Sequence, residues 1–278
     1  MPEPDIAHAA TLIAGADALL ICAGAGMGVD SGLPDFRGDA GFWKAYPALG
    51  AARTPFHEIA NPASFRADPA LAWGFYGHRL ALYRDTVPHA GFGILLELAR
   101  AMPQGAFVFT SNVDGQFGRA GFRDEQIVEC HGSIHHLQCS QPCSDAIWPA
   151  SAFLPDVDAA ACRLRGAPPH CPRCGALTRP NILMFNDSGW IDTRAEAQYA
   201  RLQAWRAGVG RLVVVELGAG VDIPSVRRMS ERQRAPLVRI NPRAPGLDGA
   251  SGVGLALGAR DALERIRQAL AKSRTDEA

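Results

Sequence analysis

Apolar side chains recur at helical spacing over residues 6–14 and give way to a short continuous apolar run, Ala18 to Cys22, followed by Gly24-Ala25-Gly26-Met27-Gly28. The pattern predicts a helix, a strand buried on both faces and a glycine turn. Continuous runs at Phe107–Phe109, Ile127–Val128, Leu212–Leu217, Leu237–Ile240 and Leu255–Leu257 predict further buried strands, with helices over Gly93–Ala101, Arg194–Arg206 and Arg260–Ala271 between them. This alternation implies an α/β fold built on a doubly wound parallel sheet of about six strands. Two stretches break the rhythm: Trp43 to Arg84, rich in aromatics, and Cys139 to Thr178, rich in Pro, Cys and Ala with little strand pattern. We therefore expect a discontinuous main domain (5–45, 85–135 and 186–271), a smaller lobe (46–84 and 136–185) and a polar tail (272–278), with a ligand cleft between the two bodies.

The 278 residues are 47% hydrophobic and carry 28 basic against 28 acidic side chains. Such a neutral chain lacks the basic excess of a protein that binds nucleic acid through phosphates, so no nucleic-acid partner is expected. No apolar run approaches the ~20 residues of a membrane span, and the amino terminus lacks a basic region followed by an apolar one, so we expect no membrane association and a cytoplasmic location. Seven cysteines include two close pairs, Cys139-x3-Cys143 and Cys171-x2-Cys174, with 27 residues between them. Four thiolates at that spacing predict one tetrahedral structural zinc with no open coordination position. Cys22 and Cys130 read as small core residues, and Cys162 is unassigned.

The glycine loop sits where backbone N–H groups approach a diphosphate, although a tight βα turn would also use these residues. Asn112 and Asp114 follow one predicted strand and His131 follows another, so all three can project into one crevice, where a histidine can act as a general base. Tyr76 and Arg79 lie three residues apart, on one face if their segment is helical. They form either a carboxylate-reading pair or part of an amphipathic helix with Tyr in the core and Arg in solvent. The sequence leaves His78, His135 and His136 free to lie at the surface.

The run GAGMGVDSGLPDFR from Gly24 to Arg37 resembles the glycine-rich signature of the sirtuins. It is joined in family order by Thr110-Ser111-Asn112-Val113-Asp114-Gly115, His131-Gly132-Ser133, the cysteine pairs and Arg179 to Phe185. The resemblance implies a Rossmann-like sheet with a zinc lobe, NAD as cofactor and an acylated lysine of a protein as partner. It implies NAD contacts from Gly24, Ala25, Gly26, Asp35, Phe36, Arg37, Ser111, Asn112, Asp114, Gly218, Ala219, Gly220, Asn241 and Ala259. Asn112 and Asp114 would position the nicotinamide end, His131 would be the base, and Phe36 and Arg37 would shield the ribose and order the loop. Leu183 and Phe185 belong to the segment that pairs with substrate as an added strand. Tyr76 and Arg79 resemble the Tyr-x-x-Arg pair of sirtuins that act on succinyl and malonyl groups.

Several positions depart from the family pattern: Gly28 for Ser, Ser111 for Gln, Gln116-Phe117 for Leu-His, Asn186-Asp187 for Gly-Glu, and a shortened 218–224 loop without Thr-Ser. They mark a divergent bacterial-type member. Three readings stay open: a lysine deacylase taking acetyl or acidic acyl groups, an ADP-ribosyltransferase or NAD hydrolase on the same scaffold, and a catalytically weak NAD-binding sensor. Protein target and oligomeric state are not readable from the sequence.

Overall fold

The computed structural model describes residues 3–35, 38–247 and 249–276. Its strands are β1 (Ala18–Ala23), β2 (Ala106–Thr110), β3 (Ile127–Glu129), β4 (Gly132–Cys139), β5 (Ile147–Pro149), β6 (Val157–Asp158), β7 (Arg163–Leu164), β8 (Thr178–Ile182), β9 (Leu212–Leu217), β10 (Leu237–Ile240) and β11 (Gly252–Leu255). Six of them form one parallel sheet in the order β11-β10-β9-β1-β2-β3. The expected doubly wound parallel sheet is thus present. Every residue of β1, β2, β9 and β10 is buried, as strands covered by helices on both faces require. The chain leaves β1 toward one edge and β9 toward the other, so strand order reverses between them and a crevice opens beyond their carboxyl ends.

The last strand lies earlier than the apolar run Leu255–Leu257 indicated. Gly252 and Gly254 are half of β11, and neither carries an apolar signal. A Cβ at Gly252 would lie 1.9 Å from the Leu237 carbonyl oxygen, and one at Gly254 would lie 2.1 Å from that of Pro245. Close backbone approach, not hydrophobicity, selected those residues. The three expected helices extend over Ala90–Ala101, Thr193–Ala207 and Ala259–Asp276.

Residues 139–178 also carry more strand than their composition indicated. Here β4 pairs antiparallel with both β5 and β8, and β6 pairs with β7. β5 to β8 are two to five residues long, and the eight residues of β4 carry an irregularity in their pairing with β8 between Ser133 and Leu137, so no clear period-two pattern emerges. They pack with the helix Pro69–Asp85, whose start is set by Asp68 accepting a hydrogen bond from the Leu71 amide at 3.0 Å and by Pro69 in the first turn. A hydrophobic cluster separate from the main-sheet core joins Phe42, Tyr46, Phe65, Trp73, Phe75 and Tyr76 to Ile134 and Ile182. Trp73 donates its indole N–H to the Thr178 carbonyl at 3.1 Å, tying that helix to β8. Among the described residues, no helix is long and apolar enough to cross a membrane.

Candidate functional site

At the crevice between β1 and β9 the loops following the two strands touch backbone to backbone. Gly26 donates to the Gly218 carbonyl at 3.0 Å, and Gly24 donates to Leu217 at 2.9 Å. Gly218 adopts a φ of +58°, and a Cβ there would lie 2.4 Å from Gly26. Only glycine allows this approach. Above the junction is a cavity of about 420 Å³ lined by Ala25, Asp35, Ser111, Asn112, Asp114 and His131, by Gly218, Gly220 and Asp222, and by Tyr76, Arg79, Tyr83, Leu183 and Phe185. Residues drawn from distant parts of the chain thus share one space. Gly24, Gly26, Ala219, Asn241 and Ala259 do not line it, and Phe36 and Arg37 lie outside the described residues.

The residues behind the wall have definable tasks. The Gly24 carbonyl accepts the Asn112 side-chain N–H at 3.0 Å, fixing that amide over the glycine turn. Asn241 is buried and internally committed: Nδ2 donates to the Ala219 carbonyl at 2.9 Å, and Oδ1 accepts from the Arg243 and Ala244 amides at 3.1 Å. It holds the 218–224 loop in place. Ala259 starts the terminal helix and is buried against the main core; the next amide, that of Arg260, donates to Asp30 at 2.8 Å.

His131 lies between β3 and β4, one residue beyond Cys130, and its Nε2 lies 3.3 Å from Ser225 Oγ at the start of the helix Ser225–Arg232. Burial holds its pKa below the ordinary value, so the ring is neutral and able to accept a proton at neutral pH. Asp114 is buried, and desolvation raises its carboxyl to about 6, against the opposing pull of the Gln116 amide and Arg79. His135 is half-buried, and its Nε2 bonds the Asp114 carbonyl at 2.9 Å. His78 is likewise engaged, with Nδ1 3.0 Å from the Tyr46 hydroxyl, and His136 is half-buried, with its pKa depressed to about 4 by burial.

The Tyr76 and Arg79 segment is helical, and its arginine is buried rather than solvated. Leu183 and Phe185 extend from β8, an edge strand of its sheet, with their amides donating to the His131 and Ala60 carbonyls at 2.9 Å. Asn186 takes a φ of +53°, a conformation Asn tolerates better than most residues. Asp187 then accepts from Arg179 Nη1 and Nη2 at 2.7 and 2.8 Å and from the Met184 amide at 3.2 Å. This buried bidentate pair anchors the segment. Ser225 and Tyr83 join the site without being among the sequence-based candidates, although Tyr83 carries a signal in its place four residues after Arg79 on one helix, and Asp187 and Gln116 stand out in the sequence only as departures from the family pattern.

The cysteines converge as their spacing predicted. Their four sulfurs lie within 4.8 Å of one another, with Cys139–Cys174 and Cys143–Cys171 both at 3.7 Å. Tetrahedral Zn–S bonds of ~2.3 Å imply sulfur separations of roughly 3.8 Å, so the cluster fits one structural zinc. Cys22 and Cys130 are buried in the main core, and Cys162 is buried beneath the helix Pro69–Asp85, where its carbonyl presses on Gly74.

A parallel sheet with its crevice at the β1/β9 reversal, a histidine and a carboxyl in that crevice, and a four-sulfur lobe beside it define an α/β protein of the dinucleotide-binding type. Comparison with known proteins specifies the class further. The family model described as the Sir2 family matches residues 24–203, and the chain belongs to that family. It is 32% identical over 262 residues to an NAD-dependent protein deacylase of Methylococcus capsulatus, covering 92% of this chain and 93% of that protein. It is 33% identical over 238 residues to NAD-dependent protein deacylase 1 of Pseudomonas aeruginosa, covering 84% and 86%. Among solved structures, a Sir2 homologue in complex with NAD shares the fold, with a TM-score of 0.72 at 24% identity over 95% of this chain and 93% of that one.

Proposed function

We propose that this protein is an NAD-dependent protein-lysine deacylase of divergent bacterial type, which releases nicotinamide and moves an acyl group from a protein lysine to ADP-ribose. The observation that carries the reading is the single cavity holding His131, Asn112 and Asp114 together with Arg79, Leu183 and Phe185. NAD supplies the glycosidic bond that is broken and the ribose hydroxyl that receives the acyl group. His131, kept neutral by burial, is the base for the proton of that hydroxyl, and Ser225 orients its ring. Asn112, fixed on the Gly24 carbonyl, and the buried Asp114 set the nicotinamide end.

Asp35, Ser111, Ala25, Gly218 and Gly220 form the rest of the cofactor wall, with Gly24, Gly26, Ala219 and Asn241 bonded into the loops behind it and Ala259 at the start of the terminal helix. The zinc, held by Cys139, Cys143, Cys171 and Cys174, is structural, since four thiolates leave it no open position. Acyl-lysine enters along Leu183 and Phe185. Acidic groups such as succinyl and malonyl join acetyl as candidates because Arg79 is buried at the same cavity. The hydrophobic cluster around Trp73 draws mainly on residues 46–84 and 136–185, which supports a lobe there beside a main domain of 5–45, 85–135 and 186–271, and it also takes in Leu33, Phe42, Val113 and Ile134 from the main-domain segments. Zinc-binding rather than disulfide-forming cysteines favour a cytoplasmic setting.

The test is nicotinamide release from NAD by the purified protein with no peptide, with an acetyl-lysine peptide and with its succinyl-lysine counterpart, each beside His131→Ala. Peptide-dependent release lost in His131→Ala supports the deacylase. Release that ignores peptide moves the protein to NAD hydrolysis or ADP-ribosyl transfer, and NAD binding without release makes it a sensor.

A further inference from the structure

We propose that Tyr83 is a specificity-determining positioning residue, whose phenol oxygen fixes the Arg79 guanidinium as the reader of a carboxylate on the acyl group. The inference rests on the deacylase reading above and concerns the acyl end of the same cavity. Tyr83 lies one helical turn beyond Arg79 on the helix Pro69–Asp85, and its hydroxyl oxygen accepts from Arg79 Nε at 3.0 Å and from Nη2 at 2.7 Å. A guanidinium has five donors in a rigid plane, so two bonds to one oxygen fix both its position and its rotation. The ring contacts reinforce this placement: the Arg79 guanidinium carbon lies 5.2, 5.7 and 5.3 Å from the ring centroids of Phe75, Tyr76 and Tyr83.

Burial makes the arrangement selective. Arg79 is 7% exposed and Tyr83 4%, yet both line the cavity that contains His131. An arginine free in solvent would spend conformational entropy on each binding event, whereas here folding has already ordered the side chain. Burial pushes the Tyr83 phenol pKa up, which keeps the hydroxyl neutral and leaves the charge of the pair on Arg79. Gln116 Nε2 donates to the Tyr83 carbonyl at 3.3 Å, which ties this end of the helix to the loop carrying Asn112 and Asp114. The carboxylate reader and the reacting end of the cavity are therefore held at one spacing. An acetyl group offers the guanidinium no charge, and a succinyl or malonyl group offers a carboxylate that pairs with it.

The experiment measures kcat/KM for nicotinamide release with succinyl- and acetyl-lysine forms of one peptide, in the wild type, Tyr83→Phe, Arg79→Met and the double variant. Tyr83→Phe should lower the succinyl-to-acetyl ratio roughly tenfold to a hundredfold, chiefly through the KM for succinyl peptide. In the Arg79→Met background the same change should move the ratio no further, because Tyr83 acts through Arg79. Tyr83→Gln, which restores an uncharged acceptor, should recover part of the ratio. A ratio unmoved by Tyr83→Phe, or an undiminished effect of that change in the Arg79→Met background, overturns the inference and leaves the deacylase reading standing. So does a wild type that processes acetyl peptide and not succinyl peptide. A wild type inert with both peptides sinks the deacylase reading itself.

Discussion

Gly218 and Gly220 stand two residues apart in the loop after β9, and alanine at each position would separate close packing from mere loop composition. At Gly218 the backbone is left-handed, and a new Cβ would lie 2.4 Å from Gly26 Cα and 2.5 Å from the Met27 nitrogen. At Gly220 no atom of the described residues lies within 4 Å of the new Cβ. A left-handed L-residue costs about 1–2 kcal/mol. Forcing a methyl group against backbone adds about 1–3 kcal/mol, because the clash is relieved only by moving one loop off the other. Gly218→Ala should therefore destabilise the protein by about 2–5 kcal/mol, while Gly220→Ala stays within about 0.5 kcal/mol of the wild type. The displaced loop also forms the cavity wall, so NAD affinity should fall about tenfold or more in Gly218→Ala, equivalent to ~1.4 kcal/mol. Urea unfolding reads the first effect and calorimetric titration with NAD the second. Wild-type stability and affinity in Gly218→Ala would refute the packing argument, as would an equal loss of stability in Gly220→Ala.

Two further outcomes follow from the buried carboxyl and the sulfur cluster. Asp114 titrates near 3.8 when unfolded and about 6 when folded, so the folded state keeps its proton longer; its contribution to stability is full below pH 3.8 and declines as pH rises to about 6. Asp114→Asn, whose amide oxygen can still accept from the Gln116 amide, should then be more stable than the wild type by about 3 kcal/mol at pH 8. In urea unfolding that gain should vanish near pH 4, while nicotinamide release drops; a gain equal at both pH values would contradict the burial argument. Metal analysis should find one zinc per chain, and Cys171→Ser should lose it and expose residues 139–178 to protease. A zinc-free wild type from zinc-supplemented growth would argue against the structural site.

The strand sequence of the main sheet was legible because its interior strands are hydrophobic on both faces and so need no alternation to stand out. β11 was misplaced because glycine, required by the Leu237 and Pro245 carbonyls, carries no apolar signal. The small sheets of the lobe escaped notice because strands of two to five residues between prolines have no detectable period. Features at fixed local spacing were equally readable: the cysteine pairs, whose sulfurs converge, and the glycine turn after β1.

Contacts between distant segments were decided by the tertiary structure. That Gly24 and Gly218 touch, that Asp187 closes on Arg179, and that His135 bonds the Asp114 carbonyl depend on which strands became neighbours. The state of Arg79 is the sharpest case. Its residue type and its distance from Tyr76 are properties of the sequence, which left it either solvated or reading a carboxylate. Packing of the lobe buried it against the rings of Phe75, Tyr76 and Tyr83 and placed the Tyr83 oxygen against two of its donors. Local sequence determines which side chains share a helical face, but burial, and with it the strength of every charge, depends on what the rest of the chain packs over that face.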